Sequence, residues 1–263
     1  MGKCLRTALK LLHIVSPTHG AIYRNYNAAI IVAAGNGTRM ACSQTKQTMM
    51  LDAVPVVVRA MMPFQQSRAI REIVVVARQN EIGLYDQWKS IYGLTKLTKV
   101  VSGGATRQES CYLGFAALDD RADYVAIHDG ARCLVTVPMI EDTLRCAYQY
   151  DCAAAACHVS DTVKLCDANG TVESTPDRSR VWRAQTPQIF RADIYRAVSA
   201  MAREENIPVT DDCMLAEHYH FPVHMVDCGS SNIKITTSDD LYYARAILQM
   251  RADRKKEQEA EKA

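Results

Sequence analysis

Residues 27–40 read Asn-Ala-Ala-Ile-Ile-Val-Ala-Ala-Gly-Asn-Gly-Thr-Arg-Met, an apolar run that passes directly into a glycine-rich turn. We interpret Ala28 to Ala34 as a strand, because the run is continuous rather than alternating, as in strands covered on both faces. The turn then lies at the carboxyl end of this strand, where open α/β sheets bind ligands. Small residues there let backbone N–H groups approach an anion. The stretch therefore predicts a leading parallel strand with an anion site at its end.

Short apolar runs alternate with longer helical patterns along the rest of the chain. This alternation is typical of βαβ units. The further predicted strands are residues 72–77, 98–102, 124–128, 153–159, 224–227 and 232–236. The predicted helices are residues 54–66, 79–92, 107–118, 138–150 and 192–205, one capped by Thr210-Asp211-Asp212, and one that begins after Ser238. The sequence thus predicts one α/β domain with a mostly parallel sheet.

Three segments flank or interrupt this domain, which we place at residues 27–250. Residues 1–26 carry basic but no acidic side chains, and their apolar stretch is too short for a membrane span, so we expect a poorly ordered extension. Residues 161–183 lack a helical period, and Asn169-Gly170 predicts the turn of an extended hairpin arm. In residues 251–263 the apolar stripe ends, which predicts a charged, solvated tail.

Composition excludes several classes of function. The formal net charge is only +2, with 23% charged residues, so no global basic field favours nucleic acid. The ten cysteines lie mostly in apolar runs without a C-x-x-C pair, which is typical of reduced thiols in a cytosolic protein. We therefore expect a cytoplasmic protein that binds neither nucleic acid nor membrane.

The glycine-rich turn by itself leaves several sites open. It could begin a dinucleotide site, but Met40 replaces the third glycine and no acidic residue closes the second strand. A phosphate loop is excluded because no G-K-[ST] follows. Two cations, Arg39 and Lys46, could instead enclose a triphosphate from two sides. The alternative is that both are ordinary surface cations.

Seven segments taken together resemble the 2-C-methyl-D-erythritol 4-phosphate cytidylyltransferases, and they occur in that family's order. They are Ala33 to Met40 with Lys46, Gly103-Gly104-x-x-Arg107-x-x-Ser110, His128-Asp129-Gly130-Ala131-Arg132, Asp161-Thr162-Val163-Lys164, Thr186-Pro187-Gln188, Thr210-Asp211-Asp212 and Asn232-Ile233-Lys234-Ile235-Thr236. The resemblance implies a three-layer αβα Rossmann-like nucleotidyltransferase fold, with a mostly parallel sheet and an inserted β-arm. It also implies CTP and Mg²⁺, a role in non-mevalonate isoprenoid precursor synthesis, and a homodimer whose arms reach across to the partner.

Individual residues receive roles from the same resemblance. The implied catalytic cations are Arg39, Lys46, Arg178 and Lys234. The implied CTP-binding residues are Ala33, Ala34, Gly35, Gly37, Gly104, Arg107 and Ser110. The implied positions for the sugar-alcohol phosphate are Asp129, Arg132, Thr162 and Thr210, and Asp129 is also the candidate metal ligand.

The chemistry explains why the sequence shows no nucleophile paired with a base. A phosphate monoester is already largely dianionic at neutral pH, with a second pKa of about 6, so no base has to remove a proton. The protein has to align two anions and stabilise charge on the α-phosphorus and the departing diphosphate. We accordingly interpret His128 as a hydrogen-bonded structural group rather than a base.

Two rival functions remain open. A ribitol-5-phosphate cytidylyltransferase would share the loop and both cations, although His128 to Arg132 matches the methylerythritol family better. A non-catalytic binding module predicts the loss of a phosphate cation, yet Arg39, Lys46 and Lys234 are all present. Three positions depart from the family pattern: Thr45 and Cys133 replace common prolines, and Gly130 replaces a frequent alanine.

Overall fold

The structure, a computed structural model, describes residues 21–35, 45 and 47–261. Its strands are β1 Asn27–Val32, β2 Met50–Leu51, β3 Val54–Pro55, β4 Ile70–Ala77, β5 Leu97–Ser102, β6 Tyr124–Asp129, β7 Cys152–His158, β8 Leu165–Cys166, β9 Val172–Ser174, β10 Trp182–Arg191 and β11 His224–Asp227. Its α-helices are α1 Val56–Gln66, α2 Ile82–Ile91, α3 Arg107–Ala116, α4 Val137–Tyr150, α5 Ala192–Glu204, α6 Asp212–His218 and α7 Asp239–Ala260. Short 3₁₀ turns lie at Ala21–Tyr23, Gln79–Glu81 and Arg178–Arg180.

A seven-stranded sheet in the order β11-β7-β10-β6-β1-β4-β5 forms the middle of the described part of the chain. Neighbouring strands are parallel except where β10 runs antiparallel to both β6 and β7. The predicted mostly parallel sheet is confirmed. The carboxyl ends of β1 and β6 lie side by side, because Val32 pairs with Asp129.

Strand β10 was missed by the sequence patterns, which assigned its first residues to the arm. Gln185, Thr186 and Gln188 are only 6%, 3% and 2% exposed, although their side chains are polar. Their burial is tolerated because the side chains hydrogen-bond to neighbouring loops. For example, Gln185 Nε2 donates to the carbonyl oxygen of Gly229 at 3.0 Å. Hydrophobic periodicity does not reveal a strand in which buried polar side chains interrupt the apolar pattern and the two large buried apolar residues, Ile189 and Phe190, come only near its end.

The strand predicted at residues 232–236 is wrong. This segment pairs with no strand in the described sheets. Its backbone contact with the loop after β6 is a hydrogen bond from the N–H of Ile235 to the carbonyl oxygen of Ala131 at 2.8 Å. The expected alternation still holds, since Ile235 is fully buried while the Lys234 side chain is 37% exposed. The predicted start of the first helix at Val54 is also wrong, because Val54 pairs with Leu51 in a two-stranded ladder and α1 begins at Val56.

Apolar side chains cover both faces of the sheet. On one face Ala29 and Ile31 pack with α1, α2 and α4, while on the other Ala28 and Ile30 pack with α3, α5 and α6. Successive residues of a strand point to opposite faces, so a continuous apolar run serves both layers. The three-layer αβα arrangement is confirmed.

A third apolar cluster joins α7 to the site-bearing loops. Leu241 and Ala244 of α7 pack against Leu134, Cys133 and Ile235. The C-terminal helix thus covers the loop that follows β6 and the segment that carries Lys234.

Both ends of the predicted domain differ from the structure. Ile22 is 2% exposed, and its carbonyl oxygen accepts a hydrogen bond from Asn27 Nδ2 at 2.7 Å, so packing begins before Asn27. The predicted disorder of residues 1–20 lies outside the described residues. At the other end α7 continues through most of the predicted tail, with exposed side chains from residue 252 onward.

The predicted arm contains a hairpin of β8 and β9. Gly170 has a φ of 85°, in the left-handed region that favours glycine, and it lies in the turn predicted from Asn169-Gly170. Leu165 and Val172 are 53% and 54% exposed.

Eight described cysteines are free thiols, of which Cys166 on the arm is exposed. Among the described residues no helix combines the length and the apolar character needed to span a bilayer.

Candidate active site

A cavity of about 290 Å³ opens beside the carboxyl ends of β1 and β6. Seven residues predicted from the sequence line it: Ala34, Gly35, Gly104, Arg107, Ser110, Asp129 and Lys234. Five further lining residues were not predicted: Val32, Gln47, Ala105, Thr106 and Ala131. Ala33 is fully buried and donates its N–H to the carbonyl oxygen of Val76 at 2.7 Å. The structure therefore joins four separate parts of the chain around one cavity: residues 32–35 with Gln47, residues 104–110, residues 129–131 and Lys234.

The wall formed by Gly104 and Ser110 is held by hydrogen bonds within the start of α3. Ser110 Oγ accepts the N–H of Gly104 at 3.1 Å and donates to the carbonyl oxygen of Thr106 at 2.9 Å. Thr106 caps the helix by accepting the N–H of Glu109 at 3.0 Å, and Glu109 accepts the N–H of Ala105 at 2.7 Å. These reciprocal bonds resemble a capping box, and they order this wall without a ligand.

Asp129 is surrounded by three cations. Lys234 Nζ lies 2.7 Å from Oδ2, while Arg107 Nη2 and Arg132 Nε each lie 3.7 Å from a carboxylate oxygen. Burial acts to raise the pKa of Asp129, but Lys234 and Arg107 outweigh it and hold the pKa well below its usual range. Asp129 is therefore ionised at neutral pH. The positive charge around it exceeds its own, which favours an anionic ligand.

Arg107 is positioned by a second carboxylate that sequence patterns did not single out. Its Nη1 lies 2.6 Å from Asp212 Oδ2, and Asp212 Oδ1 accepts the hydroxyl of Tyr195 at 2.9 Å. Burial opposes the guanidinium charge, but Asp212 and Asp129 raise the pKa of Arg107. In the sequence, Asp212 was singled out only within the segment Thr210-Asp211-Asp212, as a helix cap and as one of the family segments, and was assigned no role of its own. Asp211 makes the cap by accepting the N–H of Met214.

His128 is fully buried and uses both ring nitrogens. Nδ1 lies 2.9 Å from Thr186 Oγ1, and Nε2 lies 3.1 Å from the carbonyl oxygen of Arg132. The carbonyl oxygen of Arg132 can only accept, so Nε2 carries the proton. Nδ1 of the neutral ring then accepts the hydroxyl of Thr186, whose Oγ1 also accepts the N–H of Asp129. Burial lowers the pKa of His128 to about 4. The ring is neutral, and the predicted structural role fits these bonds.

Arg132 and Asn232 connect the loop after β6 to the Lys234 segment. Arg132 Nη1 donates to the carbonyl oxygen of Asn232 at 2.8 Å. Asn232 is fully buried, and its Nδ2 donates to Gln185 Oε1 at 3.0 Å and to the carbonyl oxygen of Thr186 at 2.9 Å. The unpredicted strand β10 thus holds both charged loops.

Several predicted site residues are not brought to this cavity within the described part of one chain. Thr162, Arg178 and Thr210 are exposed and do not line it. Arg178 Nη1 instead donates to the carbonyl oxygen of Ser160 at 2.9 Å, at the base of the arm. Gly37, Arg39 and Lys46 lie outside the described residues, so their roles stay predictions.

Comparison with known proteins agrees with this geometry. Residues 27–250 match the model of one protein family, IspD, 2-C-methyl-D-erythritol 4-phosphate cytidylyltransferase. The 2-C-methyl-D-erythritol 4-phosphate cytidylyltransferase of Clostridium botulinum is 38% identical over 223 residues, which cover 85% of this chain and 97% of that protein. That of Acaryochloris marina is 36% identical over 222 residues, covering 84% and 94% of the two chains.

Solved structures show the same relationship. The crystal structure of 4-diphosphocytidyl-2C-methyl-D-erythritol synthase from Anaerococcus prevotii superposes with a TM-score of 0.74 at 30% identity, covering 86% of this chain and 99% of that one. The Francisella tularensis 2-C-methyl-D-erythritol 4-phosphate cytidylyltransferase superposes with a TM-score of 0.71 at 27% identity, covering 85% and 100%. The chain belongs to the 2-C-methyl-D-erythritol 4-phosphate cytidylyltransferase family.

Proposed function

We propose that this protein transfers the cytidylyl group of CTP to 2-C-methyl-D-erythritol 4-phosphate and releases diphosphate, in non-mevalonate isoprenoid precursor synthesis. The observation that carries the proposal is the convergence of Lys234, Arg107 and Arg132 on Asp129, beside a cavity walled by the Ala34-Gly35 turn and Gly104. A site with excess positive charge suits two reacting phosphates. The family relationship supplies the identity of the base and of the sugar alcohol.

The reaction needs positioning and charge stabilisation rather than a base. An oxygen of the substrate phosphate attacks the α-phosphorus of CTP, the bond from that phosphorus to the β-phosphate oxygen breaks, and diphosphate leaves with the electron pair. Lys234 would bind a phosphate oxygen, and Arg107 would contact the triphosphate from the opposite wall. His128 cannot accept a proton from substrate, because its ring nitrogens are occupied by Thr186 and Arg132.

We infer that Mg²⁺ accompanies CTP. Asp129 is ionised and is the one acidic residue that lines the cavity in the described part of the chain. Mg²⁺ is commonly bound by one or two carboxylates together with substrate phosphates and water, so a single carboxylate fits. Asp129 would hold the ion, which would neutralise charge on the triphosphate when bound.

We also infer that the protein is a cytoplasmic homodimer in which each arm reaches the partner's cavity. The arm carries Thr162 and Arg178, two predicted site residues that do not line the cavity of their own chain. Its exposed apolar residues Leu165 and Val172 offer a contact surface. A partner's arm would bring cations to the open side of the cavity.

The proposal is tested by measuring diphosphate release with CTP and either 2-C-methyl-D-erythritol 4-phosphate or ribitol 5-phosphate. We expect the methylerythritol substrate to be preferred, and replacing Lys234 with Met to lower kcat/KM by about 100-fold or more. The matched control is Lys255→Met, since Lys255 lies exposed on α7 and pairs only with Glu259 among its described contacts. Preference for ribitol 5-phosphate would replace the proposed substrate, and unchanged activity in Lys234→Met would remove its catalytic role.

A further inference from the structure

Arg251, the first residue of the predicted tail, reaches from α7 to both of the loops that form the charged end of the cavity. Its Nη1 donates to the carbonyl oxygen of Leu134 at 2.8 Å, and its Nη2 donates to Ser231 Oγ at 3.0 Å. The two acceptors belong to segments far apart in the sequence. One guanidinium therefore joins two separate loops.

Each of these loops carries site residues a few positions away. Leu134 follows Asp129 and Arg132 in the loop after β6, and Ser231 precedes Lys234. Closer to the cavity, the loops are linked by the bond from Arg132 to the Asn232 carbonyl and by the bond from the Ile235 N–H to the Ala131 carbonyl. Arg251 adds a link on the side away from the cavity.

The helix presents this guanidinium from a fixed position. Leu241 and Ala244 of α7 are buried, and Ile247 and Leu248 pack against the cluster that contains Leu134 and Ile235. The planar guanidinium offers N–H donors in a rigid fork. Two bonds from one rigid group restrict the relative movement of their acceptors more than two independent contacts would.

We propose that Arg251 is a positioning residue for the binding of the sugar-alcohol phosphate. This inference rests on the proposed function. Arg251 does not line the cavity, so it acts through the spacing of Asp129 and Arg132 relative to Lys234. If this spacing changes, a ligand held between the two loops binds more weakly, because catalytic and binding contacts are sensitive to displacements of about 1 Å. The CTP side should be less affected, because the hydrogen bond from the Gly104 N–H to Ser110 Oγ ties this wall to α3 and does not involve the two loops that Arg251 joins.

The experiment compares steady-state kinetics of the full chain with those of Arg251→Ala. We expect KM for the sugar-alcohol phosphate to rise about tenfold, while KM for CTP changes less than about twofold. Arg251→Lys should give an intermediate value, because an ammonium lacks the fork that reaches both acceptors. Arg254→Ala is the matched control: it removes the same side chain one turn later on α7, where residue 254 is exposed.

Ser231→Ala gives a second, independent measurement that removes only one of the two bonds. In the wild-type background it should raise KM for the sugar-alcohol phosphate by about two- to fourfold. In the Arg251→Ala background it should leave this KM unchanged. Equal increases in both KM values, or an effect that follows the loss of thermal stability, would overturn the positioning role. So would wild-type kinetics in Arg251→Ala or in Ser231→Ala. A wild-type enzyme without cytidylyl transfer would instead overturn the proposed function.

Discussion

At the scale of single residues, the site depends on a few buried polar and charged groups that hydrogen bonds and ion pairs hold in place. Asp129 is ionised beside Lys234 and Arg107, whereas its neighbour His128 is neutral. The difference has a physical cause: the cations outweigh burial at the carboxylate, whereas burial outweighs the attraction of Asp129 at the imidazole, whose nitrogens bond to a hydroxyl and a carbonyl oxygen. Neutral His128 fixes the loop that begins at Asp129, because its Nε2 donates to the carbonyl oxygen of Arg132.

The neutral state of His128 predicts how stability depends on pH. Between its ordinary value of 6.5 and about 4, the unfolded chain binds a proton on His128 that the folded protein does not. The free energy of unfolding should therefore fall as the pH decreases through this range, by about 3 kcal/mol from this group, with its contribution complete above pH 6.5. Urea unfolding at pH 7, 6, 5 and 4 measures the slope.

Two variants isolate the contribution of His128. His128→Gln should reduce the slope of unfolding free energy against pH. His218→Gln, at an exposed position on α6, should leave most of this slope unchanged. A wild-type slope in His128→Gln would contradict the assignment. In NMR spectra, a His128 ring that titrates near pH 6.5 in the folded protein would do the same.

At the scale of elements, the turn after β1 and the loop before α3 lie in direct contact. A methyl group at Gly103 would lie 2.2 Å from the Ala34 Cβ and 3.0 Å from Ser110 Oγ. Glycine is required here by the close approach of two loops. The same contact brings the Ala34-Gly35 turn and Gly104 to one cavity.

Gly103→Ala should therefore force these loops apart. We expect a loss of stability of about 1–3 kcal/mol and an increase in KM for CTP, measured by urea unfolding and initial rates. The control is Gly83→Ala in α2, where nothing lies within 4 Å of the added methyl group. That change should stabilise the protein by about 0.5 kcal/mol or more, because alanine restricts the unfolded chain. Equal effects of both variants would show that close packing at Gly103 is unimportant.

At the scale of the whole molecule, the sheet brings the residues of the site together, whereas the arm does not contact the cavity of its own chain. The carboxyl ends of β1 and β6 meet through the pairing of Val32 with Asp129, and β10 holds the loops on either side. The hairpin of β8 and β9 is exposed along its length. The exposure of its apolar side chains Leu165 and Val172 is consistent with the inferred dimer, in which a second chain would cover them.

Charge on the arm should weaken the inferred dimer. Leu165→Asp and Val172→Asp each place a carboxylate on the exposed hairpin, and we expect the dimer dissociation constant to rise at least about tenfold. Sedimentation of the purified proteins measures this constant. Ile91→Asp is the control, since Ile91 is an apolar residue at the end of α2 that is 69% exposed. A monomeric wild type, or unchanged association in both arm variants, would contradict the inferred role of the arm.

The sequence by itself determined the order of most strands and helices, the mostly parallel sheet and the family. Those features depend on local patterns: continuous apolar runs such as Ala28 to Ala34, a glycine-rich turn, and short motifs whose residue types and order are visible in one dimension. The arm and its turn at Asn169-Gly170 were predictable for the same reason.

Only the tertiary structure decided which side chains meet. Strand β10 was hidden because three of its buried residues, Gln185, Thr186 and Gln188, are polar. The predicted strand at Lys234 is a loop in which Ile235 is buried by packing on α7. The contacts of Arg107 with Asp212 and of Arg251 with Leu134 join residues 105 and 117 positions apart. The contact of Arg251 with Ser231 joins α7 to a loop 20 positions earlier. Such contacts depend on how layers pack in three dimensions, and no local pattern of residues encodes them.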